Sequence, residues 1–240
     1  MSPAPLVHLA YPWRGASERL IRIGDGGPAI LFIAPLFEEA NRIRHFMIEA
    51  MRGVAAKGYA CFLPDLPGTL ESATPLETLD WDNWTGAIGA VVAAIGKPRL
   101  TASFRTGCLL DGWAQSDARW RLAPQDGASV MRELIRIRMA ANRENSIVTT
   151  MAEIDAEAMD GVFEVAGYRL SPKLTRGLKA AQVEPSGTVR LVRLESDIQP
   201  ADLTITAQPL WRRSEPDHDP VFCQSVIDDI SYWASLCAAG

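Results

Sequence analysis

The stretch Lys97–Asp111, KPRLTASFRTGCLLD, decides how this chain is interpreted. Apolar residues alternate through Leu100–Phe104, a turn of small residues follows, and a second apolar run starts at Cys108. Strand, sharp turn and helix is the layout of a nucleophile elbow, in which small flanking residues let a strained backbone expose one side chain at the apex. The pattern therefore predicts an elbow between residues 104 and 106.

The side chain at the apex is not a nucleophile. Ser103 and Gly107 are the small flanking residues, and Arg105 stands where a reactive hydroxyl, thiol or carboxylate is expected. A guanidinium stays protonated and offers no lone pair, so it cannot attack a carbonyl. The stretch predicts a fold more directly than it predicts a reaction.

Two further apolar runs have strand length, Ala29–Ile33 (AILFI) and Tyr59–Leu63 (YACFL). Continuous apolar runs are typical of parallel strands that are covered on both faces. Residues from about Glu38 to Lys57 have helical periodicity, and Asp80 can cap a second helix. This alternation predicts an α/β fold, a mostly parallel sheet flanked by helices with right-handed crossovers.

The second half of the chain changes character. Residues 125–182 are mostly helical in pattern, around a hairpin-like piece at Gly167, and we interpret them as a helical cap inserted into a core of residues 1–124 and 183–240. Strand character returns at Thr188–Leu194 and Leu203–Ala207, and a last helix begins at Asp219-Pro220. Within residues 1–27 we predict a single strand, Arg19–Ile23.

Composition describes an ordinary soluble globular protein. The chain has 240 residues, 48% of them hydrophobic, and a net charge of −5, which argues against nucleic acid as the main partner. No apolar run approaches the roughly 20 residues of a membrane span, and the start of the chain lacks the pattern of a signal peptide. The four cysteines show no paired spacing, so we expect free thiols and a cytoplasmic location.

Neither a metal nor a cofactor is predicted. No two histidines are close in sequence, and the turn Gly24-Asp25-Gly26-Gly27 lacks the spacing of a phosphate-binding loop. Tryptophans at 81, 84, 211 and 233 are interpreted as core residues, although an exposed cluster of them would indicate a homodimer surface.

One loop carries a resemblance to a known family. Pro64–Ser72, PDLPGTLES, resembles the D-x-x-G-x-G-x-S loop of α/β-hydrolases, with Asp65, Gly68 and Ser72 matching and Leu70 in place of a glycine. More narrowly, residues 28–235 resemble the hydrolase-like proteins associated with exosortase A systems, second type. The patches that carry this are Ala34–Asn41, the Arg at the elbow apex, Glu133–Arg138 (ELIRIR) and Val165–Leu174 (VAGYRLSPKL).

The resemblance implies an α/β-hydrolase fold with a helical cap, in bacterial systems for exopolysaccharide and envelope sorting. It implies no particular reaction, because one fold hosts many functions. In this fold the catalytic residues follow the order nucleophile, acid, histidine. Asp197 and His218 stand at the expected positions for the acid and the histidine, and the alternative is that both are ordinary polar loop residues.

Two other residues could replace the missing nucleophile by proximity. Ser103 lies on the strand and is better explained by tight packing, whereas Cys108 lies further along and is expected to be buried. Neither is favoured as a nucleophile.

Two interpretations of Arg105 stay open. With Thr106 and the loop at Leu36 and Phe37, which corresponds to the oxyanion-hole donor of the fold, it could bind an acidic group. Alternatively it pairs internally with Glu38, Glu39 or Asp65, because a buried charge needs a partner.

Two functional classes follow from these alternatives. One is a catalytically silent hydrolase-fold protein that binds an acidic small molecule or a protein partner. The other is an active hydrolase or acyl transferase, of esterase or thioesterase type, with a nonstandard catalytic apparatus.

Overall fold

The centre of the molecule is an eight-stranded sheet. The structure is a computed structural model and describes residues 4–185 and 187–237. Its strands are β1 Leu6–Trp13, β2 Ala16–Ile23, β3 Ala29–Ile33, β4 Ala60–Pro64, β5 Leu100–Phe104, β6 Ala118–Leu122, β9 Val189–Leu194 and β10 Leu203–Ile205. Their order across the sheet is β1-β2-β4-β3-β5-β6-β9-β10.

Six strands of the sheet are parallel. The hairpin β1–β2 joins antiparallel to β4, and all pairings from β4 to β10 are parallel. The central strands β4 and β5 are buried at every residue, as expected of strands covered on both faces. The predicted α/β class with a mostly parallel sheet is confirmed.

Helices cover both faces of the sheet. They are α1 Glu38–Ala56, α2 Trp81–Ile95, α3 Gly127–Glu144, α4 Met151–Asp160, α5 Pro172–Ala180 and α6 Pro220–Leu236. Helices α1 and α6 pack on one face with residues of β3, β5 and β6, while α2 packs on the other with the segment between β6 and β9. Asp80 and Asp219 cap α2 and α6 by accepting from backbone N–H groups, as predicted.

The segment between β6 and β9 contains three helices and a small hairpin. Helices α3, α4 and α5 pack on one another, and the hairpin joins β7 Phe163–Val165 to β8 Tyr168–Leu170. Its turn has left-handed backbone at Ala166 and Gly167. This hairpin brings Tyr168 to the carboxyl end of the sheet, where its hydroxyl donates to Glu38.

Two expectations about local structure are wrong. A strand, β1, occupies part of the proline-rich start, because an edge strand with one neighbour tolerates Pro12. The predicted α-helix after the elbow is a pair of 3-10 turns, Arg105–Leu109 and Asp111–Ala114. Fully buried Asp111 binds Arg121 on β6, and left-handed Gln115 then ends the second turn.

Tryptophans contribute mainly to packing. Trp84 and Trp211 are buried, and Trp81 and Trp233 are half-buried, which supports the interpretation of this group as core residues.

Candidate functional site: a closed elbow

The turn after β5 has the strained geometry of an elbow. Arg105 has φ 54°, in the left-handed region that a bulky side chain rarely adopts. Gly107 permits the turn to pack on β3, since a Cβ there would lie 2.5 Å from the carbonyl oxygen of Ala34 and 2.6 Å from that of Ile33. The backbone therefore places residue 105 at the apex of the turn, at the carboxyl end of the sheet.

The Arg105 side chain is held by groups of the protein itself. Its Nη2 donates to Glu39 Oε1 at 3.0 Å and to Gln125 Oε1 at 2.7 Å, and its Nε donates to both Glu39 oxygens at 3.3 Å. Its Nη1 donates to the carbonyl oxygen of Ala123 at 3.1 Å. Arg105 is only 9% exposed, so this network offsets the cost of burying its charge. Of the three acids that sequence analysis offered as partners, Glu39 is the one that binds.

An aromatic ring completes the enclosure. The guanidinium carbon of Arg105 lies 4.9 Å from the centre of the Trp211 ring, within range of a cation–π contact. Trp211 belongs to a 3-10 turn, Leu210–Arg212, in the connection between β10 and α6. That connection is the one in which the α/β-hydrolase pattern carries its histidine, and here it brings an indole to the apex.

The loop after β3 is bonded to the elbow. The backbone N–H of Leu36 donates to Thr106 Oγ1 at 2.6 Å, and both residues are buried. In the hydrolase pattern this loop supplies an N–H to an oxyanion hole. Here the Leu36 N–H already donates to the Thr106 hydroxyl. The neighbouring Phe37 has φ 59° and packs edge-on against Tyr168, with ring centres 5.2 Å apart.

Asp197 and His218 do not form a pair in the structure. Asp197 accepts a hydrogen bond from Arg193 and another from the N–H of Gln199, and it lines the same cleft as Arg105. Burial alone would raise the pKa of Asp197, but these two hydrogen bonds hold that pKa below its usual value.

His218 lies beside α1 instead. Its ring centre is 5.0 Å from that of His45 and 6.5 Å from that of Phe46, and it lines a different depression, next to Glu49 and Cys223. No hydrogen bond between His218 and either Asp197 or Arg105 occurs in the described part of the chain. The acid–histidine arrangement that the order of residues suggested is therefore not assembled.

Ser103 and Cys108 are both closed off. Ser103 is fully buried and donates to Asp111 Oδ2 at 2.7 Å. Cys108 is also fully buried, and burial raises the pKa of its thiol to about 12. The packing interpretation of both residues agrees with their positions, since neither reaches open space.

Two adjoining spaces lie beside the elbow. The first, the elbow cavity, has a volume of about 450 Å³ and is lined by Glu38, Glu39, Arg42 and Tyr168 together with Arg105. The second, the basic cleft, has a volume of about 590 Å³ and lies between α3 and the loops after β9 and β10. The arginines that line the basic cleft are Arg105, Arg132, Arg136, Arg193 and Arg212, and the carboxylates are those of Asp126, Glu133 and Asp197.

The pKa of Glu39 is raised above its ordinary value. Burial is the main cause, and the charge of Arg105 and its hydrogen bonds oppose it in part. The carboxylate of Glu39 is thus held where water is scarce, and it depends on Arg105 for its charged form.

Two members of this network carry no sequence signal. Gln125 follows β6 and Trp211 lies in a 3-10 turn of three residues, so neither belongs to a periodic apolar face or a motif. A buried polar cluster that joins four separate segments becomes visible only when the fold brings them together.

The hydrolase-like loop after β4 holds itself together. Ser72 Oγ accepts from the N–H of Gly68 at 2.9 Å and donates to buried Glu18 at 2.9 Å. Left-handed Leu70 replaces the glycine of the pattern, with φ 50°. Asp65 is 1% exposed and lies 3.0 Å from Arg44, so the matched residues shape a turn rather than reach the elbow.

Known structures identify the class of fold. The chain matches no protein-family model and no curated protein sequence. Est1E from Butyrivibrio proteoclasticus, solved with ferulic acid bound, superposes over 97% of this chain and 100% of its own with a TM-score of 0.67 at 14% identity. This chain has the α/β-hydrolase fold.

Two other structures support the same class. Alpha/beta hydrolase domain-containing protein 10 from mouse is 16% identical, with 97% of this chain and 99% of that chain covered and a TM-score of 0.56. The thioesterase domain from the curacin biosynthetic pathway is 14% identical, with 98% and 99% covered and a TM-score of 0.54. At these identities the likeness shows the fold and carries no reaction to this chain.

Two features are absent from the described residues. No helix in residues 4–185 and 187–237 is long and apolar enough to cross a membrane. The same residues contain no cluster of three His, Cys, Asp or Glu side chains arranged to hold a metal ion.

Proposed function

We propose that this chain is a catalytically silent α/β-hydrolase-fold protein that binds an acidic ligand in the basic cleft, within a bacterial exopolysaccharide system of the exosortase type. The observation that carries the proposal is the closed elbow. Arg105 occupies the nucleophile position there and donates its hydrogen bonds to Glu39, Gln125 and the Ala123 carbonyl. The setting rests on the sequence patches that resemble exosortase-associated proteins.

Silence is supported at three points. Arg105 has no lone pair with which to attack. The Leu36 N–H already donates to Thr106, so a developing oxyanion would have to displace that hydroxyl. His218 packs on His45 rather than next to the apex. An acyl-transfer mechanism needs all three parts aligned within hydrogen-bond reach.

Arginines without partners support an acidic ligand. In the basic cleft the three carboxylates are already engaged, because Asp126 caps α3, Glu133 accepts from Gln125, and Asp197 pairs with Arg193. Arg136 and Arg212 are exposed, and neither has a side-chain partner in the described chain. Planar guanidinium groups suit carboxylate and phosphate ligands.

The first experiment tests silence. A panel of p-nitrophenyl esters of graded chain length and a fluorophosphonate probe should leave the protein unmodified and the esters intact. Arg105→Ser should gain no esterase activity, since it restores a hydroxyl without a histidine or a free Leu36 N–H. Turnover by the unaltered protein that His218→Ala abolishes would contradict the proposal and favour an active hydrolase.

The second experiment tests the acidic ligand. Binding of glucuronate, citrate and a sugar 1-phosphate would be measured by calorimetry at low salt with the unaltered protein and with the double variant Arg136→Gln, Arg212→Gln. We expect affinity for at least one of the three acids, weakened at least fivefold by the double variant and by added salt.

Arg143→Gln provides the matched control for this second test. It removes one positive charge from α3, the helix that carries Arg136, at a position outside the cleft, and we expect it to bind as the unaltered protein does. If none of the acids binds, or if Arg143→Gln weakens binding as much as the double variant does, the acidic-ligand proposal is wrong.

The setting has its own test. Deletion of the gene in the source bacterium should lower exopolysaccharide export, and a copy of the unaltered gene should restore it. Unchanged export in the deletion strain would remove the assignment to this setting.

A further inference from the structure

A second cavity lies on the other side of the loop after β3. This space, the Arg44 cavity, has a volume of about 730 Å³ and lies between the hairpin β1–β2, the first half of α1 and the loops after β3 and β4. Its volume is within the roughly 300–1,000 Å³ that is common for small-molecule pockets. Leu36, Phe37 and Tyr168 line both this cavity and the elbow cavity, so they form the wall between the two.

The wall of the Arg44 cavity is mainly apolar. It includes aliphatic side chains from three strands, from the middle of α1 and from the loops after β3 and β4. They are Leu6, Ile21, Ile33, Leu36, Ile48, Leu66 and Leu70, with Phe37 beside them. Leu70 is 41% exposed, so part of this apolar surface is open to water. Such a wall favours an aliphatic ligand body, because apolar surface removed from water stabilises the bound state.

One cation in the cavity is incompletely paired. The side chain of Arg44 is 27% exposed, and its Nη2 lies 3.0 Å from Oδ1 of Asp65. No other acceptor for its N–H groups occurs in the described chain. A guanidinium presents a fork of donors, so Arg44 keeps donors that the protein does not use.

The partner of Arg44 is itself unusual. Asp65 is 1% exposed, and neither of its carboxylate oxygens makes a hydrogen bond of good geometry in residues 4–185 and 187–237. The other ion pair at this cavity joins Arg19 to Glu71 at 3.8 Å. Both of its side chains are exposed, and their opposite charges cancel. Arg44 is therefore the partly buried cation that a ligand entering the cavity would meet.

From this combination we infer that the Arg44 cavity binds an amphipathic anion, an unbranched alkyl chain whose carboxylate or phosphate head contacts Arg44. The chain lies against the aliphatic wall, and the head takes the unused guanidinium donors. This site is separate from the basic cleft and does not depend on the proposed function, because the two spaces share no arginine.

The test uses decanoate as the probe, by calorimetry below the concentration at which it forms micelles. Octanoate, which has two methylenes fewer, should bind about fifteenfold more weakly, since each buried methylene adds about fourfold in affinity. Decanol, which keeps the chain and lacks the charge, should bind at least tenfold more weakly than decanoate. Decyl phosphate compared with decanoate identifies the preferred head.

Three variants locate the site. Arg44→Gln should weaken decanoate at least tenfold and leave decanol unchanged, whereas Arg52→Gln, on the same helix outside the cavity, should change neither. Because Arg44→Gln also unpairs buried Asp65, Leu70→Asp serves as an independent variant at an exposed position. Aspartate tolerates left-handed backbone, and its charge at the mouth should weaken decanoate at least fivefold.

The inference is overturned by either of two results. One is the absence of decanoate binding to the unaltered protein at millimolar concentration. The other is equal decanoate affinity in the unaltered protein and Leu70→Asp.

Discussion

The Nη2 atom of Arg105 lies 3.0 Å from Oε1 of Glu39, although the two residues are 66 positions apart in the chain. Both side chains are largely buried, at 10% and 17% exposure, so each charge relies on the other. The pair joins the elbow to the first turn of α1 and fills the carboxyl end of the sheet with protein contacts.

The first prediction concerns the strength of this pair. Arg105→Gln or Glu39→Gln alone should lower the free energy of unfolding by about 2–3 kcal/mol, because each leaves a buried charge without its partner. The double variant should lose less than the sum of the two. The measurement is urea unfolding in a double-mutant cycle, with an expected coupling of about 1–2 kcal/mol.

Glu38 provides the matched control for this cycle. It is the neighbouring carboxylate on the same helix and accepts from Tyr168 rather than from Arg105. Glu38→Gln should cost under about 1 kcal/mol and show no coupling to Arg105→Gln. Equal coupling at Glu38 and Glu39 would mean that Arg105 has no specific partner.

The second prediction concerns the titration of Glu39. Burial raises its pKa above the ordinary 4.5, and Arg105 opposes the rise, so Arg105→Gln should raise this pKa further. A raised folded-state pKa contributes stability below the unfolded-state value and loses it as the pH rises through the folded value. Carbon-detected NMR of the side-chain carboxyl measures the pKa directly. A lower pKa in Arg105→Gln would contradict the arrangement.

The third prediction concerns the bond between Thr106 and the loop after β3. Thr106→Val removes the acceptor and leaves the buried Leu36 N–H without a partner, which should cost about 1–3 kcal/mol. Thr106→Ser keeps the oxygen and should cost clearly less. Hydrogen exchange of the Leu36 amide is the specific readout, and it should accelerate in Thr106→Val only. Unchanged exchange would show that the bond does not protect this amide.

The fourth prediction concerns the thiols. Cys61, Cys108 and Cys223 are buried, and burial raises the pKa of each, to about 12 for Cys108 and Cys223. Cys237 is half-buried, and its pKa is also raised by burial. At pH 8 a disulfide reagent should titrate Cys237 in the folded protein, and the other three only after unfolding. Rapid modification of Cys108 in the folded protein would contradict its burial and make it a candidate nucleophile again.

The sheet could be predicted because its signals are local. Ala29–Ile33 and Leu100–Phe104 read as buried strands from their own residues, and Asp80 and Asp219 mark helix starts by capping chemistry. The strand β1 was missed, since an edge strand with prolines and exposed residues has no continuous apolar run.

The site could be predicted only in part, because its contacts are not local. The flanking Ser103 and Gly107 indicated that residue 105 would stand at the apex. Successive residues of a helix point about 100° apart, and the chain alone could not decide whether Glu38 or Glu39 would face it. The position of Trp211 depends on a loop without periodicity, and only the assembled fold reveals it.

The left-handed turn at Arg105 also bears on how such a chain can change in descent. Segments that begin α1, follow β6 and precede α6 all converge on this one guanidinium. A protein in which residue 105 alone was replaced would keep the carboxylate of Glu39, the amide of Gln125 and the indole of Trp211 without the cation that they contact. Replacements at 39, 105 and 125 should therefore co-vary among relatives, and a serine at the apex would require several simultaneous changes.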